Sequence, residues 1–456
     1  MLTKEMKRNA GLWVSVLYFA EGFPYTVVNI MSIIFLKGLG VGNDFIGLTT
    51  SLLSLPWVFK GLWGPIVDVY STKRQWILIC EIFCTILFAG LALGVLFPNP
   101  ITICLIILSL IAFVSATHDI AIDGFYLITL NPDLQALFVG VRNTAYRGAV
   151  IVGSGGLVFL AGTIADQYLI NENGTKTYQN IPLSLFGLNL EVKPLQLGWA
   201  IAFFLGAIIF LGIYLFQRWY LPYPQTTIEE SVSSGERREK INFIESFKTY
   251  FTQDHIGWIV AFVLLFRLGD SLTIKMSAPF LMDKIEKGGL GISTSEMGIL
   301  SGTFGVIALL VGGLIGGYLI AKQGLKRWIW PMAILQNTTN IFYWLLALFQ
   351  PGLQWAYVVN SIEQFTYGLG VAAYTVFLMR TVRPEYKASH YAITTGFMAA
   401  GVLIPGLFSG FIQQQMGYIN YFFMSVFATI PGMLTIFFLP LDTEKKPLYS
   451  NEESGE

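Results

Sequence analysis

The sequence predicts an all-α membrane protein with twelve transmembrane helices in two six-helix bundles, and three observations carry that prediction. Hydrophobic residues make up 54% of the 456 positions and charged residues only 12%, with a mean hydropathy of +0.61, far outside the composition of water-soluble domains. Twelve predominantly apolar runs are long enough to cross a bilayer, which takes about 20 residues each. The second six runs repeat spacings found in the first.

The runs fall near residues 11–36, 45–69, 75–97, 101–128, 137–165, 197–219, 255–282, 294–321, 327–349, 353–379, 388–413 and 418–439. They are continuous rather than alternating, which excludes the strands of a membrane barrel. Lys4, Lys7 and Arg8 precede the first run. That run is too long for a removable leader and lacks a small-residue cleavage site, so it reads as the first span. Cys80, Cys84 and Cys104 all fall inside runs, without metal-ligand spacing, and read as small packing residues. The net charge of zero gives no reason to expect nucleic acid as a partner. The expected partners are the lipid bilayer and a small molecule.

Orientation follows from lysine and arginine. Of the 28 in the chain, 18 lie at the N-terminus, in alternate joints, in the central loop or in the tail; 5 lie on the opposite face, and 5 lie inside spans. The positive-inside rule then places both termini in the cytoplasm. Residues 222–254 contain SVSSGERREK and read as a cytoplasmic linker. The expected organisation is an N-terminal bundle over 1–221, the linker 222–254, a C-terminal bundle over 255–440 and a polar tail over 441–456. Residues 166–196 form a long outer excursion containing a glycosylation-type tripeptide, Asn173-Gly174-Thr175, which carries no meaning in a bacterium.

Gly64 precedes Lys73 and Arg74 by the same intervals as Gly317 precedes Lys326 and Arg327, and Pro132 and Pro384 mark equivalent joints. Two such halves joined by a cytoplasmic linker are the layout of the major facilitator superfamily fold, where a site near the midplane lies between halves that rock. A monomer suffices for that layout.

The costliest stretch is Ala116–Gly124, ATHDIAIDG. It places Asp119 and Asp123 on one helix face. A carboxylate near the bilayer centre costs roughly 2.5–3.5 kcal/mol on insertion scales, so such groups persist where they meet cations, water or a ligand. A structural pairing with a basic residue is the alternative for both. Span one carries a polar stripe of Tyr18, Glu21, Gly22, Tyr25 and Asn29, and span seven carries Arg267, Asp270, Ser271 and Lys275. Both stripes suit a central cavity; the alternative for span seven is that Arg267 and Asp270 neutralise each other. Lys60 in span two and Glu363 in span ten have no charged neighbour within their own turn, so each requires a partner on another helix or a ligand. Arg142 and Arg147 in span five are rotated by roughly 140°, so at most one need contact a substrate. Gly64, Asp68, Lys73 and Arg74 read as a conformational element, with glycine allowing close helix approach and Asp68 pairing in one state only. The run Gly312, Gly313, Gly316 and Gly317 suits close packing. No nucleophile with a base, metal cluster, cofactor motif or ATPase motif is present, so an enzyme is not expected.

Several segments resemble the AmpG-like muropeptide permeases and, more distantly, the acetyl-coenzyme A transporters of the same superfamily branch. They are Glu21–Pro24, VFKGLWGPIVD (Val58–Asp68), ATHDIAIDG, RLGD (Arg267–Asp270), YWLLAL (Tyr343–Leu348), Glu363 and Gly368–Tyr374. Two departures are His118, where the family often has glutamine, and Val69, where it usually has arginine. The resemblance implies a proton-driven symporter of the bacterial inner membrane that imports GlcNAc-anhydroMurNAc and its peptide derivatives for cell-wall recycling. Within that frame proton coupling falls to Asp119, Asp123, Glu21 or Asp270. Substrate binding falls to Tyr18, Tyr25, Lys60, Arg142, Tyr146, Arg267, Lys275 and Glu363, with the tyrosines as stacking surfaces for sugar rings or as packing. A transporter of acetyl-coenzyme A or another anionic metabolite, and a non-transporting receptor or scaffold, are the alternatives.

Overall fold

The computed structural model describes residues 4–130, 132–172, 175–185, 188–223, 248–381 and 387–441. Most of the expected linker, the Asn173-Gly174 part of the tripeptide and nearly all of the tail lie outside the described residues. Spans one to eight are Ala10–Gly38, Asn43–Leu62, Lys73–Gly94, Pro100–Thr129, Gly140–Asp166, Pro194–Tyr220, Ile256–Met282 and Thr294–Gln323. Leu325–Phe349 and Leu353–Arg380 are spans nine and ten. The last apolar segment, Ile393–Phe438, holds two, because Gly417 takes φ 72° and ψ 166° and breaks the helix there, a conformation glycine adopts without a Cβ penalty. With that segment divided, twelve membrane-length segments are found among the described residues. Their outward faces leave Phe83 and Ile86 on span three and Ile106 and Phe113 on span four exposed, as a lipid-facing surface requires.

The outer excursion is not irregular throughout. Leu169–Glu172 pairs antiparallel with Thr175–Tyr178, and Ile181–Leu185 with Leu188–Val192. The apolar residues of LNLEV alternate with polar ones, the strand period of two, a signal outweighed in the sequence by the stretch's asparagine and glycine content.

The chain divides into two compact units, Met1–Gly235 with Gly291–Thr303, and Glu236–Leu290 with Phe304–Glu456. In the first, Phe23 of span one packs on Phe88 of span three and Phe210 of span six, at 5.7 and 5.8 Å between ring centroids. Spans one and five meet at Gly22, where a Cβ would stand 2.9 Å from the Tyr146 carbonyl oxygen. The N-terminal end of span eight belongs to this unit, because small residues let its backbone sit directly on span five. A Cβ on Gly298 would lie 2.4 Å from Phe159 N, and one on Gly302 would lie 2.0 Å from Ser154 O. Ser295 Oγ adds a hydrogen bond to Asp166 Oδ2 at 2.7 Å.

In the second unit Phe266 stacks on Tyr374 at 5.4 Å, within a core that includes Phe262, Ile329 and Phe377. Spans eight and ten cross closely at Gly312, whose Cβ would meet Phe365 O at 2.0 Å, and at Gly316, against Ala372. Gly317 has open space instead, so part of the expected glycine run makes the contact.

Cysteines replacing Ser295 and Asp166 are expected to join under mild oxidation or a short thiol cross-linker. Adding Gly302→Leu, which drives a side chain into the Ser154 backbone, should abolish that cross-link. An unchanged yield would show that the seam tolerates bulk.

Candidate functional site

Span two is broken where its sequence holds Pro56, Gly61 and Gly64-Pro65. The helix Leu55–Phe59 passes into a 3-10 turn, Lys60–Leu62, before the short helix Gly64–Val69. Irregular backbone at membrane depth is tolerated where it lines protein or water, and Lys60 sits in that turn. Its Nζ donates to Asp119 Oδ2 on span four. One helical turn on, Asp123 Oδ1 accepts from Tyr18 Oη at 2.9 Å and from Arg142 at 3.4 Å. The Arg142 guanidinium also lies over the Tyr18 and Tyr126 rings, at 4.3 and 5.4 Å, a cation–π arrangement. The shared face of Asp119 and Asp123 therefore meets three other helices, with a separate cation for each carboxylate.

Glu21 completes this cluster on the same span as Tyr18, and its Oε2 is buried with no hydrogen-bond partner among the described residues. Three carboxylates thus share two cations. Tyr25 stands between Trp57 at 5.2 Å and Tyr146 at 6.1 Å, forming an aromatic group. Tyr18 and Tyr146 are engaged by Arg142 and by the Gly22 contact, which favours their structural reading over sugar stacking.

His118 does not share the Asp119 face. It is wholly buried, with Nε2 3.7 Å from Glu81 Oε1 on span three, so the titratable substitution noted in the sequence points away from the carboxylate stripe. The expected conformational element also changes in part. Gly64 has open space where a Cβ would be and allows no close approach, because it ends the break in span two rather than facing a helix. Arg74 donates to the backbone carbonyls of Leu221 at 3.2 Å and Arg218 at 2.7 Å and lies over the Tyr223 ring, closing the C-terminal end of span six. The Lys73 stem runs over Gly124 of span four. The Asp68 side chain lies outside the described residues.

The second unit treats its buried charge differently. Span seven is interrupted between Ile256–Leu265 and Leu268–Met282, and Asp270 stands in the first turn of the second piece, where the helix dipole favours a carboxylate. The Arg267 charge acts on Asp270, and the hydrogen bonds of the two side chains run to other helices. Asp270 accepts from Asn340 Nδ2 at 2.8 Å and from Gln336 Nε2, and Arg267 donates to Tyr367 Oη. Glu363 is buried and accepts from Gln364 at 2.8 Å. Thr339 and Thr366 join spans nine and ten at 2.8 Å. Lys275 is partly exposed, without a hydrogen bond or ion pair to another described residue.

Gln336 and Asn340 are site residues that charge-based reading of the sequence passes over. Their signal was the run QNTTN in the middle of span nine. Gly370 completes their setting: a Cβ there would stand 1.5 Å from Gln336 Oε1, so only glycine leaves room for that amide. No group of three or more metal-ligating side chains forms among the described residues. The arrangement sets buried carboxylates beside cations in the first unit and beside amides in the second.

The Major Facilitator Superfamily profile matches residues 14–404. Anhydromuropeptide permease of Escherichia coli K12 is 24% identical over 92% of this chain and 78% of its own length. Putative transporter AmpG 4 of Rickettsia conorii is 23% identical over 96% and 98%. Among solved structures, a bacterial homolog of the human lysosomal transporter Spinster, inward-facing and unoccupied, aligns with a TM-score of 0.66 and 18% identity over 96% of this chain and 97% of that one.

Lys60→Met should lower the stability of the detergent-solubilised protein by about 1–3 kcal/mol, since it strands the Asp119 carboxylate. Lys60→Met with Asp119→Asn should recover most of that loss. Thermal unfolding of the four proteins of the double-mutant cycle tests this, and additive losses would remove the pair as a stabilising unit.

Proposed function

The chain belongs to the major facilitator superfamily, and on that footing we propose that it imports anhydro-muropeptides by proton symport across a bacterial inner membrane. That it is a multi-pass secondary transporter of small molecules, and not an enzyme, follows from the family and the fold. The relatives named as anhydromuropeptide permease and AmpG transporter support the substrate. The lysine and arginine asymmetry supports cytoplasmic termini.

The observation that carries proton coupling is the surplus carboxylate. Asp119 is matched by Lys60 and Asp123 by Arg142, which leaves Glu21 as the carboxylate of the cluster without an ion-pair partner of its own among the described residues. A proton on Glu21 makes the cluster neutral, and loss of that proton leaves a net negative charge in a low-dielectric interior. Glu21 is thus the proton carrier of the first unit, with Asp119 and Asp123 fixing the cations around it. Asp270 takes the corresponding part in the second unit. Its two amide partners present donors to the ionised form, and an amide that turns over presents its carbonyl to the protonated form. On the substrate side, Tyr25 with Trp57 offers a stacking face for a sugar ring. Lys275 offers a cation without a protein partner, and Glu363 an acceptor for hydroxyl or amide groups.

Proteoliposomes decide between the readings. Uptake of labelled GlcNAc-anhydroMurNAc-tripeptide driven by an imposed acid-outside gradient, with acetyl-coenzyme A not accumulated, is expected. The reverse preference would establish the anionic-metabolite alternative, and silence toward both in a folded protein would favour a receptor or scaffold. Glu21→Gln should abolish gradient-driven accumulation while retaining substrate exchange between the two sides, and normal accumulation in that variant would remove Glu21 from the coupling.

A further inference from the structure

We infer that Arg147 is the substrate-anion ligand of the first unit. The inference rests on the transporter reading above and assigns a residue that the sequence reading left without a role. Five cations lie away from the ends of the apolar runs, Lys60, Arg142, Arg147, Arg267 and Lys275. Lys60 is bound to Asp119, Arg142 to Asp123, and Arg267 to Tyr367. Lys275 and Arg147 have no hydrogen bond or ion pair with another described residue.

Arg147 lies deep in the membrane. It stands in span five, Gly140–Asp166, roughly 10 Å along the axis from Gly140 at 1.5 Å per residue. The preceding residue, Tyr146, abuts Gly22 in the middle of span one. A guanidinium stays charged at any physiological pH. Its presence at such depth without a protein counter-charge requires water or a ligand at its head group, because charged side chains inside spans face a polar interior. Arg147 is only partly exposed, and its guanidinium makes no hydrogen bond or ion pair with a described residue. Arg142 cannot substitute for it. That residue is rotated by roughly 140° on the same helix, and Asp123 and the Tyr18 ring already occupy it. The planar fork of a free arginine matches a carboxylate bidentately, and the substrate class under the functional reading carries one on every member.

Two measurements test this. The first uses Arg147→Cys in membrane vesicles of both orientations with sulfonatoethyl methanethiosulfonate, a water-soluble anionic thiol reagent. The native Cys80, Cys84 and Cys104 are buried, so background is low. Labelling from the aqueous phase is expected, and absence of labelling from either side places the residue against lipid or protein and overturns the inference.

The second compares uptake of GlcNAc-anhydroMurNAc, whose single carboxylate is the lactyl group, with that of its primary amide. Loss of a charge-assisted hydrogen-bond pair corresponds to about a tenfold to hundredfold rise in KM. The wild type should show that rise for the amide. Arg147→Gln should show it for the acid and leave the amide unchanged, and Arg147→Lys should recover part of the difference. A wild type that does not distinguish acid from amide, or an Arg147→Gln that loses both equally, overturns the role of Arg147 while leaving the functional reading intact. A wild type inert toward both sugars overturns the functional reading, and with it the carboxylate assigned to Arg147.

Discussion

An ionised side chain in hydrocarbon has to be met by an opposite charge, a set of donors, water or a ligand, and this requirement orders the interior of the first unit. Span four supplies two carboxylates one turn apart. Span two is bent at its proline and glycine residues so that Lys60 reaches the first, and span five brings Arg142 to the second. Tyr18 donates to the same Oδ1 of Asp123 that Arg142 reaches. The helices are therefore registered against one another by charge as well as by the aromatic packing of Phe23, Phe88 and Phe210. Such pairs contribute more to specificity of arrangement than to net stability, since their desolvation offsets much of the attraction.

The second unit meets the same requirement with neutral partners. Two amides hold Asp270, a tyrosine hydroxyl takes Arg267, and a glutamine takes Glu363. The difference has a chemical consequence. An ion pair resists protonation of its carboxylate, because the proton leaves a lone cation behind, whereas an amide that donates to a carboxylate can turn over and accept from a carboxylic acid. The first unit accordingly holds Asp119 and Asp123 with cations, and the second holds Asp270 with amides.

Span positions, the helical class and the presence of unaffordable charge were legible in the sequence because each depends on local composition. The partners were not. Lys60 and Asp119 are 59 residues apart, Tyr18 and Asp123 are 105 apart, and Asp270 and Asn340 are 70 apart, distances over which periodicity says nothing. Attention to formal charge also hid Gln336 and Asn340, although the polar run holding them lowers the hydropathy of span nine. Nor could spacing show that Gly64, in a conspicuous motif, faces open space while Gly370 clears the way for an amide. The two hairpins of the outer excursion were masked by their turn-forming residues.

The long-range pairing of span four has a consequence for how the protein is made. Helices enter the bilayer in chain order, so Lys60 reaches it while Asp119 is still unsynthesised. The apolar run over 101–116 drives span four in and brings both carboxylates with it, after which Arg142 must arrive for Asp123. Spans two, four and five therefore complete their charge pairing only after Arg142 has been inserted. A chain truncated after span three carries Lys60 without the carboxylate that pairs it.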